Sequence, residues 1–377
     1  MNILITGGAG FIGLRLAMRA IADGHEVTIL DNLNPQVHGP NSAFPGPLLQ
    51  SANCVKADIC DADALHAAMM NVEIVVHLAA ETGTAQSMYE IERYAHANVQ
   101  GTAALFHVIV NHRPKNLRKI VVASSRAIYG EGKYRCNSHG IVYPTARTIE
   151  AMTAKNFEAK CPVCGLDVTV LPTTEDAQLA PASFYGLTKQ MQEQMTLMFA
   201  ASLGIDAFAL RYQNVYGPGQ SLRNSYTGLL GVFLTLVRQG KALTVFEDGL
   251  ESRDFVFIDD VIDATASCLA ADVRGIHALN VGSGTRITVS EVAHAVRDFF
   301  RSQVPIQTTG TFRVGDIRHN VADISRIREL TGFSPKCEFA NGLRDFLTWA
   351  THHETSDGGF ERSMSELRER GLLLEGQ

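Results

Sequence analysis

The chain has 377 residues, of which 46% are hydrophobic and 19% are charged, and its formal net charge at pH 7 is −6. This apolar content supplies a large core and excludes intrinsic disorder as the main state. The negative charge and the pI near 6.1 exclude the basic surface typical of nucleic-acid binding. No run of about 18 uncharged apolar residues occurs, and Met1 is followed at once by the apolar residues 3–5 rather than by a basic leader. We therefore expect no membrane span, no signal peptide and a cytoplasmic location.

Short β-branched runs alternate with longer helical stretches through the first two thirds of the chain. Strands are predicted at 3–6, 26–30, 73–77 and 119–124, and helices at 11–23 and 88–112. Apolar strands separated by helices of this length are typical of parallel strands that are buried on both faces. Because crossover connections are right-handed, the expected α/β fold is a doubly wound parallel sheet.

A glycine-rich turn joins the first predicted strand to the first helix, at residues 6–13. Gly7 permits a tight turn, Gly10 lets the backbone approach a pyrophosphate, and Gly13 allows the helix to pack closely on the strand. The free N–H groups of the helix N-terminus attract the anion. A glycine triplet also occurs in purely structural turns, but the strand–turn–helix context indicates a Rossmann-type dinucleotide site.

Two acidic positions bear on the choice of cofactor. Asp31 ends the second strand, where its carboxylate can accept hydrogen bonds from the ribose hydroxyls and would repel a 2′-phosphate, which favours NAD over NADP. Asp58 and Ile59 follow the third strand. They either contact the adenine ring of the dinucleotide or only mark the start of a helix.

The remaining chain predicts three further regions. Residues 34–47 are rich in Pro, Gly and Asn and indicate a surface loop, and residues 131–182 are too long for a simple connection and indicate an inserted module. We predict a NAD-binding domain at 1–215, a smaller C-terminal α/β substrate-binding lobe at 216–352 and a charged tail with a solvated helix at 353–377. Some segments of the lobe can return to the main sheet. Its predicted helices are 227–239, 261–270, 289–301 and 343–350.

Tyr185 and Lys189 lie four residues apart and so share one face of a helix. A free tyrosine with a pKa near 10 is a poor base at neutral pH, but a neighbouring lysine and a positive nicotinamide ring favour the phenolate. Ser125 ends an earlier strand, and its hydroxyl can hydrogen-bond the same substrate oxygen. These residues are candidates for proton transfer to and from a substrate hydroxyl.

At these motifs the sequence resembles the extended short-chain dehydrogenase/reductase family, in particular its nucleotide-sugar epimerase/dehydratase branch. The resemblance covers nearly the whole chain and rests on Asp31, Asp58 and the segments 6–13, 77–80, 98–102, 124–130, 185–189, 211–219, 251–256 and 315–318. It implies NAD as the cofactor, a nucleotide sugar as the substrate, and a homodimer that pairs through the long helices at 88–112 and 183–203.

The resemblance also implies roles for individual residues. The catalytic residues would be Ser125, Tyr185 and Lys189. The cofactor-binding residues would be Gly7, Gly10, Phe11, Ile12, Gly13, Asp31, Asn32, Asp58, Ile59, Leu78, Ala79, Ala80 and Asn98, together with Tyr185 and Lys189. The substrate-binding residues would be Thr82, Ser125, Arg126, Asn214, Arg253 and Arg318. Arg253 and Arg318 are candidates for phosphate contacts, with ordinary surface arginines as the alternative.

The residues after the catalytic serine bear on the reaction. The 4,6-dehydratases of this branch carry an Asp-Glu pair there, whereas this chain has Arg126 and Ala127, neither of which can protonate a leaving hydroxyl. The segments 81–88, 125–130 and 214–220 are most similar to 4-epimerases that convert dTDP-L-rhamnose to dTDP-6-deoxy-L-talose. A 4,6-dehydratase, a net oxidoreductase, or an epimerase of a UDP-, GDP- or CDP-sugar remain as alternatives. A non-catalytic dinucleotide sensor is disfavoured because Tyr185 and Lys189 are both intact.

The inserted residues 131–182 contain Cys136, His139, Cys161 and Cys164. Two residues separate the members of each pair, and the Cys-Pro-x-Cys-Gly run at 161–165 is the tight turn found in zinc ribbons. Three thiolates and an imidazole suit a closed, tetrahedral structural Zn²⁺ site. The sequence thus predicts a small zinc-knuckle insertion, with a redox-active Cys pair or unligated thiols as the alternatives.

Overall fold

The computed structural model describes residues 1–39, 42–222, 228–353 and 359–376. Its strands, numbered in chain order, are β1 (Asn2–Thr6), β2 (Glu26–Asp31), β3 (Asn53–Lys56), β4 (Ile74–His77), β5 (Lys119–Ser125), β6 (Tyr134–Cys136), β7 (Gly140–Val142), β8 (Thr169–Val170), β9 (Asp206–Tyr212), β10 (Asn214–Tyr216), β11 (Leu243–Val245), β12 (Ser252–Phe257), β13 (Ile276–Val281), β14 (Arg286–Thr288), β15 (Ile306–Thr308), β16 (Thr311–Arg313) and β17 (Leu373–Glu375).

The α-helices are α1 (Phe11–Ala22), α2 (Pro35–His38), α3 (Gly46–Ser51), α4 (Ala62–Ala68), α5 (Thr84–Ser87), α6 (Ile91–Tyr94), α7 (Gly101–His112), α8 (Ile149–Thr153), α9 (Phe184–Leu203), α10 (Leu229–Arg238), α11 (Ile258–Ala270), α12 (Val289–Phe299), α13 (Ser325–Thr331), α14 (Phe339–Thr351) and α15 (Gly359–Glu369). A π-helix spans Ala95–Gln100 and a 3-10 helix spans Arg126–Tyr129. No helix within the described ranges combines the length and the apolar character that crossing a bilayer requires.

Seven strands form the central sheet in the order β13-β9-β5-β4-β1-β2-β3, and every neighbouring pair is parallel. The residues of β4 and β5 are all buried, as expected for central strands covered on both faces. The predicted doubly wound sheet of Rossmann type is confirmed. All carboxyl ends of its strands lie at one edge, which is where open sheets of this kind bind their ligands.

Apolar clusters cover both faces of the sheet. On one face, α1 and α11 pack together over side chains such as Leu16 and Ile29. On the other face, α4 and α7 cover Leu4 and Val75, and Phe106 of α7 stacks on Phe199 of α9 with the ring centroids 5.0 Å apart. The sheet edge is thereby held rigidly between two helical layers.

The C-terminal part of the chain adds small sheets beside that edge. They comprise β10-β12-β14, β11-β15 and β16-β17, whereas β13 returns to the central sheet. The inserted residues 131–182 form their own three-stranded sheet, in the order β7-β6-β8. Helix α8 lies between β7 and β8 along the chain. Helix α10 was predicted to begin at Thr227, which lies outside the described residues. In the structure it begins at Leu229.

Two predicted elements differ from the structure. The helix expected at 88–112 is divided into α6, the π-helix and α7, because Asn98 turns its side chain to the Glu81 backbone and to Thr188 instead of continuing a regular α-helical face. The predicted loop at 34–47 contains the short helix α2, which the Asn34 side chain caps by accepting a hydrogen bond from the Gln36 amide.

The tail also differs from its predicted form. Residues 353–377 were expected to end in a solvated helix, but α15 buries Met364 and Leu367 against the protein, and β17 pairs antiparallel with β16. The apolar side chains Phe360, Met364 and Leu367 recur at helical spacing, and this stripe outweighs the charged residues between them.

Candidate active site

The catalytic candidates meet at the carboxyl edge of the sheet. Ser125 is the last residue of β5, and Tyr185 lies in the first turn of α9, which Ser183 caps by accepting a hydrogen bond of 3.2 Å from the Gly186 amide. The Ser125 hydroxyl acts on the Tyr185 phenol and lowers its pKa. Lys189 is one helical turn further on and is buried. Their catalytic roles stay predictions, but the structure brings the three residues together as those roles require.

Burial governs the protonation of the phenol. It raises the pKa of Tyr185 above its usual value, while the hydrogen bond from Ser125 and the positive charge of Arg126 lower it. We had expected Lys189 to be the cation that acts on the phenol. Among the described residues it is the charge of Arg126 that lowers the pKa of the phenol.

Arg126 begins the 3-10 helix directly after Ser125 and is half-buried. Burial, together with the charge of Arg253, lowers the pKa of its guanidinium to about 9, against the attraction of Asp316 and Tyr185. Its guanidinium has no hydrogen-bond partner among the described residues. A half-buried cation that has no hydrogen-bond partner in the described chain and acts on the pKa of Tyr185 is suited to bind a polar substrate.

The lysine is held by a buried network. Its ammonium donates a hydrogen bond of 2.7 Å to Gln192 Oε1, and Gln192 Nε2 donates to Thr102 Oγ1 at 2.9 Å. Burial lowers the pKa of Lys189 to about 7, against the opposing effect of the Glu193 carboxylate. Burial and the lysine charge also lower the pKa of His77 to about 3, so this imidazole is neutral.

The glycine turn leaves no room for larger residues. Gly7 has a φ of +69°, and a Cβ there would lie 2.7 Å from the Ala79 amide nitrogen. A Cβ on Gly13 would lie 2.3 Å from the Gly7 carbonyl oxygen. Helix α1 begins without a side-chain cap, so its first N–H groups are free for an anion. The turn therefore fits the pyrophosphate of a dinucleotide.

The remaining cofactor candidates surround this turn. Asp31 accepts hydrogen bonds from the Ala9 and Leu33 amides at 3.0 and 2.8 Å, which fixes its carboxylate beside the turn. Asn32 donates to Asp58 at 3.0 Å, so these two candidates form one group. The other candidates follow β1 or β4 or lie on adjoining segments: Gly10, Phe11, Ile12, Ile59, Leu78, Ala79, Ala80 and Asn98.

Two of the substrate candidates, Asn214 and Arg253, have polar groups without a partner among the described residues. Asn214 in β10 has a buried side-chain oxygen without a partner in the described chain. Arg253 donates three hydrogen bonds to the carbonyls of Ser252, Ile317 and Arg318, which leaves two of its five N–H groups unpaired among the described residues. The Thr82 carbonyl accepts from the Tyr94 hydroxyl at 2.6 Å.

The structure argues against Arg318 as a phosphate ligand or a surface arginine. Its side chain is completely buried, and all five guanidinium N–H groups donate to the carboxylates of Glu158, Glu247 and Asp248. A phosphate could bind there only by displacing these anions. Arg318 therefore joins the inserted residues, through Glu158, to the lobe.

A narrow crevice beside α9, with no room for a water-sized group, is lined by residues that the sequence did not single out. Arg313 lines it, and its guanidinium lies 4.9 Å from the centre of the Phe246 ring. Leu367 and Leu372 of the tail line it as well. Arg313 stands two residues before the marked Gly315-Asp316 segment, and this proximity is a signal that could have identified it.

The four proposed metal ligands of the insertion converge. One ligand atom from each of Cys136, His139, Cys161 and Cys164 lies within 4.8 Å of all the others. The Cys136 sulfur is 3.5 Å from His139 Nδ1 and 3.7 Å from the Cys164 sulfur, and the Cys161 sulfur is 3.7 Å from His139 Nδ1. Tetrahedral Zn²⁺, with Zn–S near 2.3 Å and Zn–N near 2.0–2.1 Å, requires ligand separations of roughly 3.5–3.8 Å. The donor set fits that ion.

Comparison with known proteins agrees with this geometry. Residues 3–282 match the model of the NAD dependent epimerase/dehydratase family. The dTDP-L-rhamnose 4-epimerase of Burkholderia thailandensis is 39% identical over 92% of this chain and 94% of its own. The UDP-glucose 4-epimerase of Thermotoga maritima, solved with UDP-glucose, is 27% identical with a TM-score of 0.75, covering 93% of this chain and 99% of its own. The enzyme of the same name from Thermus thermophilus, solved with NAD, is 26% identical with a TM-score of 0.73, covering 94% and 100%. The chain belongs to the NAD dependent epimerase/dehydratase family.

Proposed function

We propose that the protein is an NAD-dependent 4-epimerase of a nucleotide-activated sugar and interconverts dTDP-L-rhamnose and dTDP-6-deoxy-L-talose. The observation that carries this proposal is the arrangement at the end of β5, where Ser125 lies beside Tyr185 and lowers its pKa, and the next two residues are Arg126 and Ala127. The similarity to the Burkholderia thailandensis enzyme supports the choice of substrate.

The residues at the sheet edge perform the proton chemistry. The glycine turn at Gly7, Gly10 and Gly13 would hold NAD⁺, which would supply the acceptor for the C4 hydride and the donor for its return to the opposite face. Tyr185 takes the proton of the C4 hydroxyl as the hydride leaves, in the phenolate form that Arg126 and a positive nicotinamide ring would favour against the effect of burial, and Ser125 orients that oxygen by hydrogen bonding. When the 4-keto sugar has turned its other face, Tyr185 returns the proton. Redox cancels over the cycle.

Lys189 and Asp31 act on the cofactor side of the site. The Lys189 ammonium is positioned by Gln192 to stabilise negative charge near the phenol and the ribose. The Asp31 carboxylate, fixed by two backbone amides, accepts from ribose hydroxyls and excludes a 2′-phosphate. NAD is accordingly the cofactor that these residues select.

The local chemistry disfavours dehydration. Loss of water from C5 and C6 requires an acid beside the leaving hydroxyl, and the two positions after Ser125 offer a guanidinium and a methyl group. Even with its pKa lowered to about 9, Arg126 stays charged at neutral pH and is a poor proton donor. Arg126 is better suited to hold the sugar or its diphosphate.

A panel of dTDP-, UDP-, GDP- and CDP-sugars, followed by NMR, tests the proposal. We expect dTDP-L-rhamnose to give a mixture with its C4 epimer without added cofactor. Turnover of a sugar that carries another nucleotide base would leave the proposed mechanism unchanged and would reassign only the base of the substrate. A chain that retained NAD but epimerised no sugar in the panel would contradict the proposal.

We also propose that Cys136, His139, Cys161 and Cys164 hold a structural Zn²⁺. The separations between the donor atoms match a tetrahedral ion, and four protein ligands leave no open position for a substrate. The insertion has only a small apolar cluster of its own around Tyr134 and Val142. Metal binding would supply the stability that this cluster lacks.

A homodimer is the oligomeric state that we propose. Leu187, Met191 and Met198 share one face of α9 and are 43%, 38% and 54% exposed. An apolar face of this kind on a long helix is suited to pair with the same face of a second copy. Sedimentation at micromolar concentration would show a dimer, and a monomer would contradict this assignment.

A further inference from the structure

The insertion lies along residues 316–323 of the lobe and is bonded to them at more than one point. The Thr173 amide donates a hydrogen bond of 2.9 Å to the Val321 carbonyl. Glu131, at the start of the insertion, accepts a hydrogen bond of 2.9 Å from the Arg318 amide. The insertion therefore supports the backbone of this segment directly.

Arg147 of the insertion makes a further contact with the same segment. Its side chain is only 3% exposed. The guanidinium donates to both carboxylate oxygens of Glu247, at 2.7 and 2.8 Å. It also donates to the carbonyls of Phe157 and Asp316, at 3.1 and 3.0 Å. One buried side chain thus joins the backbone of the insertion to the backbone of the lobe segment.

Two carboxylates keep Arg147 charged inside the protein. Burial lowers the pKa of its guanidinium, but Glu247 and Glu131 more than offset this effect and raise that pKa above its usual value. The Glu131 carboxylate lies 3.2 Å from Nε of Arg147. A planar, charged group with several donated hydrogen bonds fixes its acceptors in direction as well as in distance. The Asp316 carbonyl is one of these acceptors.

The carbonyls that follow Asp316 hold Arg253, the candidate for phosphate binding. The Arg253 guanidinium donates to the Ile317 carbonyl at 2.9 Å and to the Arg318 carbonyl at 3.0 Å. Because each peptide unit is planar, a displacement of the Asp316 carbonyl also displaces the Ile317 amide that shares its plane. The direction of the Arg253 side chain therefore depends on the position of the residue that Arg147 binds.

The charge of Arg253 acts on the proposed catalytic residues. Burial and the charge of Arg253 lower the pKa of Arg126 to about 9, and Arg126 in turn lowers the pKa of Tyr185. A bound anion would reduce the repulsion between the two guanidinium groups, and the diphosphate of a nucleotide sugar is such an anion. Arg253 is thus placed to bind the diphosphate while the sugar reaches Tyr185.

We propose that Arg147 is a positioning residue for the binding of the nucleotide sugar. By fixing the Asp316 carbonyl, it holds the peptide units to which Arg253 donates and so directs Arg253 at the substrate diphosphate. The donors of Arg147 are engaged by the protein, so it acts through Arg253 rather than on the substrate. This inference rests on the proposed epimerase function and gives the insertion a part in substrate binding.

The test measures kcat and KM for dTDP-L-rhamnose, and the Kd for dTDP by calorimetry. Arg147→Met should raise KM and Kd about 10-fold and change kcat less than about twofold, because it displaces a binding group that is remote from C4. Arg147→Lys should raise KM and Kd by a smaller factor, since it keeps the charge without the planar group. Lys119→Met is the matched control. This buried lysine at the start of β5 donates to the Cys268 and Leu269 carbonyls, and its loss should leave KM unchanged.

A double-mutant cycle separates positioning from a general loss of stability. In the Arg253→Met protein, Arg147→Met should raise KM no further, because both changes remove the same contact with the substrate. Effects on KM that multiply in the double variant would overturn the inference. A folded Arg147→Met variant with the KM and Kd of the wild type would overturn it as well.

Two further outcomes have a defined meaning. If Arg147→Met does not fold, the same cycle is measured with Arg147→Lys, and wild-type values of KM and Kd in that variant would overturn the inference. If the wild-type protein binds dTDP but epimerises no sugar, the proposed function is contradicted, and the Kd for dTDP in the Arg147 variants still decides whether Arg147 supports nucleotide binding.

Discussion

The ammonium of Lys189 donates a hydrogen bond of 2.7 Å to the amide oxygen of Gln192, one turn further along α9. The other end of that amide donates to Thr102, which itself donates to the Asn98 carbonyl at 2.6 Å in the π-helix. Gln192 therefore links Lys189, the proposed catalytic lysine, to the irregular helix beside the proposed cofactor site. We infer that it is a positioning residue, because it touches Lys189 rather than the reacting atoms.

We expect Gln192→Glu to raise the pKa of Lys189, because a carboxylate stabilises the ammonium more than an amide does, by about one to three units. Gln192→Met has a similar volume and no comparable acceptor, and it should lower that pKa further. The profile of kcat against pH reports both changes. The part of the profile that follows the titration of Lys189 should move to higher pH in Gln192→Glu and to lower pH in Gln192→Met. Movement in the same direction in both variants would show a packing effect instead.

Tyr185→Phe should reduce turnover by about 10²–10⁴-fold, the usual cost of losing a general base. Ser125→Ala should cost less, because it removes only the hydrogen bond that orients the substrate oxygen and lowers the pKa of Tyr185. Turnover and the NAD content of the denatured protein are measured together, with Tyr143→Phe in the insertion as the control. Near-wild-type turnover by Tyr185→Phe with NAD still bound would contradict the mechanism.

Arg318→Met should destabilise the protein by up to about 3–5 kcal/mol, because it leaves the buried Glu247 with Arg147 as its remaining counter-charge and removes the cation that binds Asp248. Arg318→Lys keeps the charge but not the five donors, and it should recover only part of the loss. Urea unfolding measures the difference. If Arg318→Met kept the stability of the wild-type protein but had a raised KM for the nucleotide sugar, the phosphate-binding interpretation of Arg318 would be restored.

Cys161→Ser/Cys164→Ser should remove one zinc per chain and lower the melting temperature, since the insertion has little core of its own. Elemental analysis and thermal unfolding check both effects, with Cys54→Ser as a matched thiol control. Metal-free wild-type protein of full thermal stability would contradict the structural zinc site.

The central strands could be predicted from the sequence because their burial on both faces produces continuous apolar runs, as in β1 and β5. The glycine turn and Tyr185 were identifiable because their chemistry lies within one short segment. The buried pairing of Arg318 could not be predicted, because its partner Glu158 is 160 residues away and no local pattern reveals it. The docking of α15 was missed because its charges were given more weight than its apolar stripe.

The route of hydrogen through the reaction is the central claim, and NMR of the sugar in deuterated water tests it most directly. An epimerase of this mechanism moves only the C4 hydride, so dTDP-L-rhamnose should reach equilibrium with its C4 epimer without deuterium in the carbon skeleton. The two epimers differ by one axial hydroxyl, about 1 kcal/mol or less, so both should be visible. Deuterium at C5, or a stable 4-keto product from dTDP-glucose, would contradict the claim and place the chain with the dehydratases.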